Sequence, residues 1–264
     1  MSIVATERLG VEIEGGRVRL TMQRPQALNA LDQALSLDLG AAVAAFDADP
    51  DLRVAILTGA GGRAFCTGLD LKEVARDDAA GLEMLRPRSG TSAMAELERC
   101  RKPVIAAVDG WCVAAGFELA LLCDIRVATR QSRFGMPEPR RSLLGGPGLH
   151  VLSRVIPLGE AMLVQLTGSP LGAERAYAIG LVQRLAEDRD ELMAEADAIA
   201  TEIEQCAPLA VQAIKRVVRA ARDQPVATST LLGEAHIQAL EHTEDRAEGP
   251  RAFAEGRPPQ WRGR

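Results

Sequence analysis

Apolar and polar positions alternate over residues 11–22 on both sides of Gly15-Gly16. That period predicts a hairpin with V-E-I-E as its first strand and R-V-R-L-T-M as its second. Arg24-Pro25 ends the second strand. Over 31–46 the period lengthens: Leu35, Leu39, Val43 and Phe46 recur three or four apart behind Asp32, which predicts a helix. Apolar runs at 54–58, 103–108 and 125–128 predict strands, and 119–123 is too apolar for a surface helix. The order strand, helix, strand, helix, with irregular insertions, predicts an α/β fold. Residues 77–91 are largely polar and broken by Gly81, Pro87 and Gly90, the pattern of a helix fragment and a mobile loop.

Beyond about Asp188 the strand signals stop, and 191–206, 209–222 and 228–241 show helical apolar spacing. A boundary is expected there, with a core at 1–188 and a helical region at 189–264. The stripes of that region, Leu192, Ala196, Ile199 and Ile203, then Leu209, Val211, Ile214, Val217 and Val218, exceed what a small core can cover. They predict self-association through these helices. The basic tail 256–264 can pack or stay loose.

Composition narrows the function classes. With 264 residues, 47% of them apolar, the chain can bury a full core without staples. A net charge of -5, with both signs spread along the chain, disfavours nucleic acid as a partner. The five cysteines, Cys66, Cys100, Cys112, Cys123 and Cys206, form no C-x-x-C pair and read as reduced cytosolic core residues. Only three histidines occur, so no metal site is expected. No export signal opens the chain and no apolar run reaches the length of a membrane span. A cytoplasmic protein without a membrane partner is expected.

Gly59-Ala60-Gly61-Gly62-Arg63-Ala64 fits G-x-G-x-x-A, yet no helix opens on it and no acidic residue ends a second strand about twenty residues on, as a dinucleotide site requires. No G-x-S-x-G or Walker sequence occurs. Two loops carry more: 64–73, A-F-C-T-G-L-D-L-K-E, and 109–120, D-G-W-C-V-A-A-G-F-E-L-A. Each puts small residues between a strand and a helix, where free backbone N–H groups can meet an anion, although ordinary tight turns share this composition. Glu118 carries a carboxylate into the most apolar helix, and Glu138 lies between Pro137 and Pro139 on what reads as a rigid extended segment. A dipole-complementing glutamate and a solvated loop glutamate are their ordinary readings.

Four segments in order, R-P-Q-A-L-N-A-L at 24–31, the 64–73 loop, G-F-E-L-A at 116–120 with C-D-I at 123–125, and F-G-M-P-E at 134–138, resemble the crotonase (enoyl-CoA hydratase/isomerase) superfamily. So do A-Y-A-I-G-L-V at 176–182 and F-A-E-G-R-P-P at 253–259, and the likeness spans essentially the whole chain. The resemblance implies a spiral of ββα turns and a helical C-terminal region for contacts in a homotrimer or dimer of trimers. It implies an oxyanion hole from the N–H groups of Leu69 and Ala115 for a thioester carbonyl, and Glu118 and Glu138 as the catalytic pair. Gln26, Ala27, Leu28, Gly68, Asp70, Leu71, Lys72 and Gly116 would bind substrate, with Lys72 toward a CoA phosphate.

The implied reaction is reversible addition of water to a 2-enoyl-CoA, with no cofactor and CoA entering as part of the acyl-CoA substrate. Alternatives are an enoyl-CoA isomerase using Glu138 alone, a dehydratase of an unusual hydroxyacyl-CoA, and a catalytically inactive trimeric scaffold. Leu69 in place of alanine, Ala114-Ala115-Gly116 in place of a glycine triplet, Arg140-Arg141 in place of apolar residues and the 145–148 glycine spacing depart from the family pattern and bear on the acyl pocket.

Overall fold

The computed structural model describes residues 3–79 and 92–264, apart from the side chains of Val74 and residues 77–79. Most of the polar stretch expected over 77–91 therefore lies outside the described residues. In chain order the strands are β1 Leu9–Glu14, β2 Arg17–Met22, β3 Val54–Gly59, β4 Ala64–Cys66, β5 Val104–Val108, β6 Trp111–Val113, β7 Ile125–Thr129, β8 Arg133–Gly135, β9 Leu171–Gly172 and β10 Arg184–Ala186. The helices are α1 Gln33–Ala48, α2 Leu71–Ala79, α3 Ala93–Arg99, α4 Ala115–Leu122, α5 Gly148–Val155, α6 Leu158–Thr167, α7 Ala173–Ala178, α8 Arg189–Glu204, α9 Pro208–Ala221, α10 Val226–Leu240 and α11 Glu244–Glu255.

The expected hairpin forms, with β1 antiparallel to β2 and Gly15 at φ +58 in its turn. From there β2, β3, β5, β7 and β10 run parallel in one six-stranded sheet, ordered β1-β2-β3-β5-β7-β10. The short strands β4, β6, β8 and β9 make a second sheet in that order. Successive turns thus send one strand to each sheet: β3 then β4, β5 then β6, β7 then β8. This is the ββα spiral.

The apolar runs at β3 and β5 lack alternation because both faces are covered. Ala55, Leu57, Val104, Ala106 and Val108 join the main core with α1, α3 and α4. Val54, Ile56, Ile105 and Ala107 face the other way, onto Leu192, Ala196 and Ala200 of α8. The α8 stripe read as a contact for other subunits is therefore consumed by this chain's own sheet, since the central strands need apolar cover on their second face. Ile214 and Val218 of α9 and Val226, Leu231 and Ile237 of α10 remain largely exposed.

Two further expectations are corrected. Cys206 is exposed, while the other four cysteines are buried; all five are free. Glu138 opens a 3-10 turn, Glu138–Arg141, where an extended segment was expected. Pro137 has φ -79 and ψ 4 there, a value that proline's fixed φ permits as readily as an extended one. The tail packs: Trp261 Nε1 donates to Gln205 O at 2.7 Å, and Asp245 accepts from the Arg262 and Gly263 N–H groups at 2.6 and 2.9 Å. Among the described residues no helix is long and apolar enough to cross a membrane.

Candidate active site

Helix α4 is buried at every one of its eight residues. Its C-terminal end is held by the buried Arg126 guanidinium, which donates to Ala120 O, Cys123 O and Leu181 O. At its start no side chain caps the first turn, and the N-cap is Ala114 at φ 51, ψ -133. A first turn without a cap keeps unspent N–H donors and the positive end of the helix dipole. Gly116 lets this turn press on β4: a Cβ there would stand 2.2 Å from Cys66 O.

The chain leaving β4 meets the segment after the 3-10 turn Pro25–Ala27. Leu31 N–H donates to Gly68 O at 2.7 Å and Asp70 N–H to Leu31 O at 2.9 Å, a parallel bridge centred on Leu31 and Leu69. Because N–H directions alternate along an extended segment, the Leu69 N–H points away from residue 31. Gly68, at φ +97, has Ala115 N 3.3 Å from the position a side chain would take, so the donors of Leu69 and Ala115 are neighbours from different elements. Arg24 braces the bridge. Its guanidinium donates to Ala30 O and, at 2.9 Å, to Asp70 Oδ2, and this contact holds the Asp70 carboxyl below its usual range.

Beside these donors opens a cleft of about 1470 Å³, above the ~300–1,000 Å³ of common small-ligand sites. Glu118, Glu138, Leu69, Ala115, Gln26, Ala27, Asp70, Leu71 and Lys72 all line it. Leu28, Gly68 and Gly116, read from the sequence as substrate-binding, stand behind the lining. Leu28 closes the 3-10 turn at φ 51 and its carbonyl accepts from Thr67 Oγ1, while the two glycines permit close backbone approach.

Glu118 points from α4 into a glycine-rich turn. Its Oε1 accepts from Gly148 N at 3.0 Å, and side chains at Gly145, Gly146 or Gly148 would meet its carboxylate within 3.2, 3.3 and 3.1 Å. Burial pushes the Glu118 carboxyl above its usual range, the nearby Glu138 charge adds to this, and the Gly148 and Gly146 N–H groups oppose it. Glu138 is half-buried and also raised, first by burial, against its own N–H and Arg141. Its Oε2 is buried without a hydrogen-bond partner. Two carboxyls that bind a proton readily, one free to act on a ligand, suit acid–base work. Burial holds the Cys66 thiol up at about 12, so it supplies no thiolate. Among the described residues no three His, Cys, Asp or Glu gather as metal ligands.

The sequence reading did not assign roles to Gly146 and Gly148, to Arg24, or to Trp111, which lines the cleft while half exposed. Three glycines within four residues around Pro147 were the available signal for the first pair.

Comparison with known proteins agrees with this architecture. The family model for enoyl-CoA hydratase/isomerase matches residues 12–264. The chain is 38% identical over 254 residues to the (E)-benzylidenesuccinyl-CoA hydratase of Thauera aromatica, covering 96% of this chain and 98% of that one. It is 36% identical over 264 residues to the carnitinyl-CoA dehydratase of Escherichia coli K12, covering 98% and 100%. The crystal structure of an enoyl-CoA hydratase from Mycobacterium marinum superposes with a TM-score of 0.90 at 41% identity, covering 98% of this chain and 100% of that one. With its two-sheet spiral and paired glutamates, this chain belongs to the enoyl-CoA hydratase/isomerase family, the crotonase superfamily.

Proposed function

We propose that the protein is an enoyl-CoA hydratase, adding water reversibly across the 2,3 double bond of a 2-enoyl-CoA. The thioester carbonyl accepts from the N–H groups of Leu69 and Ala115, which makes C3 electrophilic and holds the enolate that forms as water attacks. Glu118, fixed by Gly148 N–H, orients the water and takes its proton. Glu138 protonates C2. The CoA moiety runs past Gln26, Ala27, Asp70, Leu71 and Lys72, and no separate cofactor is used.

The supporting observation is that both carboxyls face one cleft beside the uncapped end of α4, and that burial raises the proton affinity of each, which suits Glu118 as a base and Glu138 as an acid. An isomerase shuttling one proton needs only Glu138 and gives no role to the second buried acid. Glu118→Gln and Glu138→Gln should each lower hydration of crotonyl-CoA, followed by loss of the conjugated thioester absorbance, by roughly a hundred to ten-thousandfold. The double variant should be little worse than either. A folded Glu118→Gln protein hydrating at the wild-type rate, or a wild type that hydrates no enoyl-CoA, refutes the reading.

Assembly as a homotrimer or a dimer of trimers belongs to the same proposal. It is supported by the exposed apolar residues of α9 and α10, and a stable monomer by light scattering at micromolar concentration overturns it.

A further inference from the structure

The 3-10 turn that carries Glu138 ends on Arg141, and both line the cleft. In a 3-10 helix side chains three apart stand one above the other, roughly 6 Å along the axis. Arg141 therefore shares the direction of the catalytic carboxyl and lies one turn beyond it. Its neighbour Arg140 is tied down, Nε donating to Thr167 O at 2.9 Å and Nη2 to Ser169 Oγ at 3.0 Å. Arg141 is not: no hydrogen bond or ion pair engages it among the described residues. Its charge acts on Glu138 from a distance, lowering that carboxyl, but it makes no hydrogen bond or ion pair with it, and Glu138 Oε2 stays unpartnered. Arg141 is exposed, and the cleft that it lines is also lined by Val113, Pro137, Leu143, Leu144 and Pro170. A neutral acyl chain laid along this cleft would strip water from a guanidinium and return nothing, whereas a carboxylate would form a charge-assisted, bidentate pair.

We propose that Arg141 selects an acyl group bearing a carboxylate close beyond C3, so that the substrates are acidic enoyl-CoA and hydroxyacyl-CoA thioesters. This deepens the hydratase reading and rests on it for the position of C3. Glu98, on α3, also lines the cleft and is the feature that would instead favour a cationic acyl group. Glu98 is carried by a different element from the catalytic carboxyl, whereas Arg141 shares its turn.

The test uses three CoA thioesters of one but-2-enoyl chain: unsubstituted, 4-carboxy and 4-trimethylammonio. The wild type should show a kcat/KM for the 4-carboxy compound at least about tenfold above the unsubstituted one, the size of one charge-assisted hydrogen bond. Arg141→Gln should bring that ratio near one, and Arg141→Lys should recover part of it. Equal kcat/KM for the two in the wild type, a preference for the ammonium compound, or a ratio unchanged in Arg141→Gln overturns the assignment and leaves the hydratase reading intact. Hydration of none of the three sinks the hydratase reading. Dissociation constants of the saturated glutaryl-CoA and butyryl-CoA then decide: tighter glutaryl-CoA binding lost in Arg141→Gln upholds Arg141, and equal binding overturns it.

Discussion

Gly116→Ala tests whether the site depends on the contact between α4 and β4. A methyl group at this position would lie 2.2 Å from Cys66 O, 2.6 Å from Cys66 C and 2.7 Å from Cys66 Cβ. Carbon and oxygen approach comfortably at about 3.3 Å, so one element must retreat by about 1.1 Å. Neither has slack, because Cys66 and Phe65 are fully buried and α4 is packed along its length. Overpacking of this kind costs about 1–3 kcal/mol, which for a domain of this size lowers Tm by roughly 2–12 °C. The displaced turn carries the Ala115 N–H. A misplacement of about 1 Å in a positioning group can cost on the order of a hundredfold in rate. Thermal unfolding followed by circular dichroism, with hydration kinetics below the transition, should therefore show both losses in the same variant. KM for the CoA thioester should change far less than kcat, since Gly116 is not among the residues that line the cleft. A variant with wild-type Tm and kcat refutes the argument, and a variant that loses only affinity would return Gly116 to a binding role.

Ala114→Gly should raise Tm by a few degrees: a residue at φ 51, ψ -133 carries roughly 1–3 kcal/mol of strain, more than the roughly 0.5–1 kcal/mol of extra chain entropy a glycine loses. A lower Tm refutes it. Glu118→Gln should stabilise the fold at neutral pH. With its folded-state value raised by burial, the Glu118 carboxyl favours folding at pH below its unfolded-state value, and that contribution is lost as pH rises through the folded-state value. The variant's advantage in Tm should thus be full above the folded-state value and shrink on acidification, and an advantage that grows toward acid pH contradicts the assignment. Arg24→Met should lower kcat roughly tenfold or more with a smaller change in KM, because it frees Asp70 and the bridge that aims the Leu69 N–H. Arg24→Lys should recover part of this, and equal kcat in all three proteins removes Arg24 from the positioning role.

What the sequence determined by itself is what local period and backbone chemistry encode. The β1–β2 hairpin follows from alternation around Gly15-Gly16, α1 from its spacing behind Asp32, whose side chain accepts from Leu35 N at 2.8 Å, and the buried strands from unbroken apolar runs. The paired glutamates and the two strand-to-helix loops were legible too, as residue types in particular settings. Helices α5 and α11 were not, because glycine and proline at 145–148 and Pro250 within α11 mask a helical period that neighbouring elements nonetheless enforce. Nor does period say which surface covers a stripe. Similar spacing in α8 and α9 packs Leu192 and Ala196 fully against the sheet in one case and leaves Ile214 and Val218 exposed in the other, since only the sheet's second face, assembled from distant strands, decides it. The protonation preference of Glu118 and Glu138 is likewise a tertiary property. It arises when α4, the glycine turn at 145–148 and the 3-10 turn at Glu138 close around two carboxyls twenty residues apart in the chain and strip them of water.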